Sequence, residues 1–284
     1  MRGVSELLWT PSAERVASTK MDALRRSVGA ADAVALHRWS VDNPGEFWQR
    51  VWDDCGVIGT AGDAAFEPGD GSVRGGRFFP QSGVSYAENA LALREGRGSE
   101  AIVAIDETGE RRAYTWQQLR AEVAALAAAL VGAGVQVGDR VAAYMPHVAE
   151  TVITFLAANA IGATFTSTSS DFGVAGVVDR FGQTTPTVLV AADGYRYAGK
   201  SFDCLDRIAE ITAALPSLKR TVVVGVLNPQ PDVSGIASGV RWDDFVAPHK
   251  GAPLTCLRLR GDHPVYILYS SGTTGKPKCI IHRA

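Results

Sequence analysis

Between residues 265 and 278 an apolar run gives way to a loop of hydroxyls, glycines and lysines. Ser270, Ser271, Thr273 and Thr274 supply short hydroxyl groups, Gly272 and Gly275 carry no Cβ, and Lys276 and Lys278 add positive charge. A backbone free to take positive φ can turn several N–H groups toward one anion, and small polar side chains let that anion come close. The chemistry on offer is the binding of a phosphate chain. It is not the Walker arrangement, which sets its glycines further apart and follows its lysine with a hydroxyl. Here only Thr273 and Thr274 separate Gly272 from Gly275, and Pro277 follows Lys276. Pro277 also disfavours a helix running on from the loop. The β-branched and aromatic run at 265–269 reads as a buried strand and 279–282 as a second one, so the expected unit is a strand–loop–strand phosphate grip.

The elements that must position this grip are legible upstream. Apolar runs at 140–145, 163–166, 187–190 and 221–224 read as strands, and they alternate with helical periodicity at 150–159, 174–181 and 202–214. Such alternation implies right-handed β–α–β units: an α/β fold, doubly wound, with a mostly parallel sheet and helices on both faces. Before it, 101–105 reads as a strand turned by Gly109-Glu110, and Thr115 with Gln118 forms a capping box. The helix they open repeats Leu119, Val123, Leu126 and Leu130 and stops at Gly132 and Gly134. Residues 228–239, rich in Pro and Gly, read as a linker, and 60–76 as a loop. The first hundred residues differ. Asn43-Pro44 signals a helix start, and Phe47, Trp48, Val51 and Trp52 form a packing stripe. Residues 1–100 are therefore expected to be a helical and loop extension packing on an α/β core at 101–284.

Composition bounds the function. The chain has 284 residues, 46% of them hydrophobic, with 28 basic against 30 acidic side chains. That balance carries no basic excess of the kind nucleic acid or an acidic membrane selects, so neither partner is expected. The longest apolar stretch, 123–135, is too short to span a bilayer and is broken by glycine, and a cytoplasmic protein is the expectation. Cys55, Cys204, Cys256 and Cys279 show no metal-ligand spacing, so they read as reduced packing residues, and no protein-held metal site is expected.

Two other patterns dissolve under their own requirements. Gly83-Val84-Ser85-Tyr86-Ala87 misses the last glycine of a hydrolase elbow and has no strand before it, so Ser85 is not read as a nucleophile. Gly132, Gly134 and Gly138 follow a helix and are one residue too widely spaced for a dinucleotide fingerprint.

The hydroxyl and glycine loop as a whole resembles the phosphate-binding signature of the adenylate-forming superfamily, which includes acyl-CoA synthetases, luciferases and peptide-synthetase adenylation domains. Further strings resemble one branch of it, the acetoacetyl-CoA synthetases. These are Leu8-Trp9-Thr10-Pro11, Phe47-Trp48-Gln49-Arg50-Val51-Trp52, Phe79-Pro80 and Tyr86-Ala87-Glu88-Asn89. Further on come Asp171-Phe172-Gly173, Asp179-Arg180-Phe181-Gly182-Gln183, and Ala192-Asp193-Gly194-Tyr195-Arg196-Tyr197 with Gly199-Lys200. The likeness is weakest at 59–76.

What this resemblance implies is an ATP-binding ligase of lipid and fatty acid metabolism, with ATP, Mg²⁺ carried by the nucleotide, and CoA. Acetoacetate would attack the α-phosphate to give an adenylate and pyrophosphate, and the CoA thiol would then displace AMP. Ser270, Ser271, Gly272, Thr273, Thr274, Gly275 and Lys278 fall to the ATP phosphates, with Thr273 and Lys278 acting on the reacting phosphate chain. Lys276 is either a further phosphate ligand or a solvated charge. Arg196 and Lys200 are the CoA candidates, against the alternative of an ordinary exposed loop, and Asp179-Arg180 reads as a helix-surface pair. The resemblance also implies that the acyl pocket, adenine contacts, ribose carboxylate and mobile C-terminal domain come after Ala284. The chain is expected to be the N-terminal portion of its parent, incomplete at its C-terminus and inactive alone. Acetyl- or propionyl-CoA synthetase, and a non-catalytic nucleotide-binding fragment, are the alternatives.

Overall fold

A computed structural model describes residues 7–71, 75–93, 98–270 and 275–284. Contacts divide the chain into two compact units, residues 1–57 with 61–80, and residues 58–60 with 81–284.

The first unit is built on short helices. Ser12, Thr19 and Asp32 cap helices Ala13–Ala17, Lys20–Ser27 and Ala33–Asp42 by accepting from N–H groups of the first turn. Pro44 opens Pro44–Cys55, and Gly56 ends it at φ 58°. Trp48 packs edge-on against Phe78 at 5.5 Å, and Trp52 lies 4.8 Å from Phe79, so the aromatic stripe is packing. Part of the 60–76 segment forms more than loop: Phe66–Glu67 pairs with Arg77–Phe78 as a short antiparallel ladder.

The second unit holds the sheet, whose strands we label β1 (Arg140–Tyr144), β2 (Thr164–Thr168), β3 (Val188–Ala192), β4 (Arg220–Val224), β5 (Gly239–Arg241), β6 (Pro264–Ser270) and β7 (Lys278–Arg283). Its helices are α1 (Trp116–Gly132), α2 (Ala149–Ala160), α3 (Val174–Thr184) and α4 (Leu205–Ala214). The strand order is β5-β4-β3-β1-β2-β6-β7. All neighbours are parallel except β6 and β7, which form an antiparallel hairpin.

Strand periodicity sorts this sheet's residues between two cores. Val141, Ala143, Val188, Val190, Val222 and Val224 join Leu119, Val123, Leu126 and Leu130 of α1 and Ile153 of α2 in one cluster. Ala142, Tyr144, Leu189, Ala191 and Val223 join Val177 and Phe181 of α3 and Ile208 and Ile211 of α4 in the other. Helices therefore cover both faces, as a doubly wound sheet requires. The capping box at Thr115 and Gln118 is present, and Gly134 takes φ 83° just past α1.

Two local expectations are corrected. Helical pattern from residue 202 does not hold to its start: Lys200–Asp203 is a strand paired with Gly194–Tyr197, and α4 begins at Leu205. Turn chemistry prevails there, because Ala198 (φ 50°) and Gly199 (φ 73°) make the tight two-residue reversal that suits a hairpin's twist. The run at 265–269 is a strand but is buried only at Val265 and Ile267; Leu268 is 47% exposed.

Candidate functional site

Strand β6 is laid beside β2, with Tyr266 opposite Phe165 and Ile267 opposite Thr166. Thr166, fully buried, places its hydroxyl 3.1 Å from Ile267 O and 2.8 Å from Tyr269 Oη, which fixes the upper end of β6. Burial pushes the Tyr269 phenol above its ordinary pKa, so it stays neutral and able to donate. Beyond it, Ser270 is half-buried and stands opposite Lys278 across the hairpin. The chain returns through Gly275, at φ 136°, and Pro277, and β7 starts at once with Lys278. A strand, not a helix, thus follows Pro277 directly. Ser271, Gly272, Thr273 and Thr274 lie outside the described residues. Lys276 and Lys278 are both exposed.

Helix α3 supplies contacts that sequence reasoning missed. Asp179 Oδ1 lies 3.5 Å from Lys276 Nζ, an ion pair between α3 and the residues leading into β7. Gln183 Nε2 donates to Pro277 O at 2.9 Å and to Asp179 O at 2.7 Å, and its Oε1 lies 3.8 Å from the Cys279 thiol. Arg180 packs its guanidinium 4.4 Å over the Phe172 ring and 5.9 Å from the Tyr269 ring centre. Asp179 and Arg180 are therefore not a helix-surface pair with each other. The available signal was the spacing: Asp179 and Gln183, four apart, lie on one helical face.

The CoA candidates sit elsewhere, on the 194–203 hairpin. Arg196 is opposite Ser201 and Lys200 opposite Tyr197, so by strand alternation the two cations leave opposite faces of the ribbon. Arg196 Nη1 lies 3.8 Å from Asp106 Oδ2. The hairpin's tip already meets an anion: Glu107 accepts from Ala198 N at 3.1 Å and Gly199 N at 3.3 Å. Hydrogen bonding from Thr108 in the first place, with Arg196 contributing, holds the Asp106 carboxyl below its usual range.

At the carboxyl ends of the middle strands, polar groups brace the fold. The strand order switches sides here, since β2 lies on one side of β1 and β3 on the other. Asp193, 2% exposed, accepts from Val226 N at 2.7 Å, Leu227 N at 2.9 Å and Asn228 N at 2.8 Å, and so folds the loop after β4. Tyr144 Oη lies 2.7 Å from Ser170 O and 2.8 Å from Phe172 O, tying β1 to the segment between β2 and α3. Ser85, read as no nucleophile, caps its helix by accepting from Glu88 N. Of the cysteines, Cys204 is buried and Cys256 half-buried, whereas Cys55 and Cys279 are exposed rather than packed. Among the described residues no helix is long and apolar enough to cross a membrane, and no three His, Cys, Asp or Glu side chains converge to hold a metal ion.

The doubly wound sheet places the chain in the α/β class, and the chain belongs to the AMP-binding enzyme family, whose model matches residues 91–284. Within that family it is similar to acetoacetyl-CoA synthetases. It is 40% identical to the acetoacetyl-coenzyme A synthetase of Rhizobium meliloti (strain 1021), over 98% of this chain and 43% of that protein. It is 36% identical to the acetoacetyl-CoA synthetase of Macaca fascicularis, again over 98% of this chain and 43% of the relative. The solved structure of acetoacetyl-CoA synthetase from Streptomyces lividans superposes with a TM-score of 0.89 at 35% identity, covering 98% of this chain and 43% of that one. The chain thus spans less than half the length of these relatives.

Proposed function

We propose that this chain is the phosphate-gripping portion of an AMP-forming acetoacetate–CoA ligase. The observation that carries the reading is the β6–β7 hairpin: a hydroxyl and glycine loop with Lys276 and Lys278 at its return, in a chain of the AMP-binding family. Transfer at phosphorus needs charge neutralisation and alignment, and oriented N–H and O–H donors supply both. Ser270, Ser271, Gly272, Thr273, Thr274 and Gly275 would cradle the β- and γ-phosphates of Mg·ATP. Lys278 would offset the charge that builds on pyrophosphate as an acetoacetate oxygen bonds to the α-phosphorus and the α–β bridge breaks. The CoA sulfur would then attack the acyl carbon of the adenylate and release AMP. Arg196 and Lys200, on opposite faces of one hairpin tip, suit a ligand with phosphates at separated points, and such a ligand would compete with Asp106 and Glu107. We place the reaction in cytoplasmic lipid metabolism, with residues 1–100 an extension of the 101–284 core.

The relatives are more than twice as long as this chain, and the chain by itself is expected to bind Mg·ATP without turning over. An AMP-release assay with acetoacetate, Mg·ATP and CoA on the purified chain tests this, and sustained turnover would contradict it. In a polypeptide extended to the length of the relatives, ATP–pyrophosphate exchange should be fastest with acetoacetate; equal or faster exchange with acetate or propionate would reject that acyl assignment.

A further inference from the structure

Helix α3 carries the string Asp179-Arg180-Phe181-Gly182-Gln183, whose polar members Asp179 and Gln183 have no task in the sheet or in the phosphate reading. Phe181 is fully buried and seats the helix against the sheet. Asp179 and Gln183, one turn apart, both reach the return stem of the β6–β7 hairpin, more than ninety residues further along the chain. Gln183 divides its amide between that stem and its own helix. One N–H goes to Pro277 O, the other to Asp179 O, and the carbonyl oxygen faces the Cys279 thiol. Pro277 has no N–H of its own, so its carbonyl is its only backbone hydrogen-bonding group, and Gln183 occupies it. Asp179 meanwhile holds Lys276 at 3.5 Å with both side chains largely in solvent, 44% and 74% exposed, so the pair is weak enough for a stronger anion to break.

We propose that the C-terminal half of α3 is a positioning device for the phosphate loop: Gln183 fixes its return stem, and Asp179 is a counter-charge on Lys276 that a polyphosphate must displace. The proposal rests on the reading of the hairpin as a polyphosphate grip. It assigns the two residues opposite signs. Losing Gln183 frees the stem and weakens binding, whereas neutralising Asp179 frees Lys276 and removes a competing negative charge. A merely structural role would make both substitutions neutral or harmful.

The test is equilibrium binding of Mg·ATP to the full chain by titration calorimetry, with amide hydrogen exchange at residues 278–281 as a second readout. Gln183→Ala should weaken Mg·ATP about five- to tenfold, the scale of one or two neutral hydrogen bonds, and speed exchange at the stem. Asp179→Asn should tighten it about two- to threefold at low ionic strength, and the gain should fade in high salt. Gln183→Glu, similar in shape but without the donor to Pro277 O, should act like Gln183→Ala and keeps the test open if the alanine variant is unstable. Wild-type chain that fails to bind Mg·ATP overturns the phosphate-grip reading and this proposal with it. Wild-type binding with both Gln183 variants unchanged in affinity and exchange, or with Asp179→Asn weaker than wild type, overturns this proposal alone.

Discussion

Strands β1 and β7 are similar short runs with apolar residues at their centres, yet Val141, Ala142, Ala143 and Tyr144 are fully buried while every residue of β7 is exposed. Pairing explains much of the contrast. Strand β1 has a parallel neighbour on each side and helices on both faces, whereas β7 is paired only with β6 at the sheet's edge. Ile280 and Ile281 are 45% and 56% exposed there, and Lys278 and Cys279 are exposed beside them. The middle of the sheet thus carries the hydrophobic stabilisation, whereas β7 carries little burial and, on the reading proposed above, belongs to the ligand-binding hairpin. Substitutions at the two places should therefore separate stability from binding.

The largest effect is expected in the middle. Leu126 of α1, fully buried in the cluster that includes Val141 and Ala143, should cost about 2–5 kcal/mol of stability on truncation to alanine. Urea unfolding measures it, and at folding conditions Mg·ATP affinity should be unchanged. A change in affinity without one in stability would erase the distinction between the regions. Asp193→Ala comes next. It strands the N–H groups of Val226, Leu227 and Asn228 and should cost about 1–3 kcal/mol in the same assay. A neutral result would mean that this loop finds other partners.

A smaller, pH-dependent effect is expected where the chain enters the edge. Arg258 grips Glu88 with two hydrogen bonds, at 2.7 and 2.8 Å, and chiefly through them holds the Glu88 carboxyl below its ordinary range. A depressed carboxylate pKa stabilises the fold above the unfolded value, about pH 4.3, and that contribution is lost as pH falls through the folded value. Glu88→Gln should therefore lower the thermal midpoint modestly near neutrality, and the gap from wild type should close in acid. A gap that widens as pH falls would reverse the sign and reject the pair as its cause.

How much of this was legible in the sequence differs between the same two regions. Strands β1 to β4 announce themselves because burial on both faces demands continuous apolar residues, and Thr115 with Gln118 writes the start of α1 in local hydrogen-bond chemistry. At the edge, the two strands of the hairpin were readable from their apolar centres and from the glycine, proline and hydroxyls between them, which act locally. Its supports were not. That Gln183 meets Pro277 depends on where α3 lands after the chain has crossed the sheet, and no local pattern records a contact made at that distance. Likewise Arg196 and Lys200 looked like neighbours in sequence, but the turn at Ala198-Gly199 sends them to opposite faces.

The central claim is that the β6–β7 hairpin grips a polyphosphate. Titration of the chain with Mg·tripolyphosphate and with Mg·ATP, in wild type and in Lys278→Ala and Thr273→Ala, measures it most directly. Both ligands should bind wild type with similar affinity, because the phosphates carry the contact, and each substitution should weaken both about tenfold or more without moving the thermal midpoint. Binding of Mg·ATP that is indifferent to both substitutions, or no binding of either ligand to the folded wild-type chain, would contradict it.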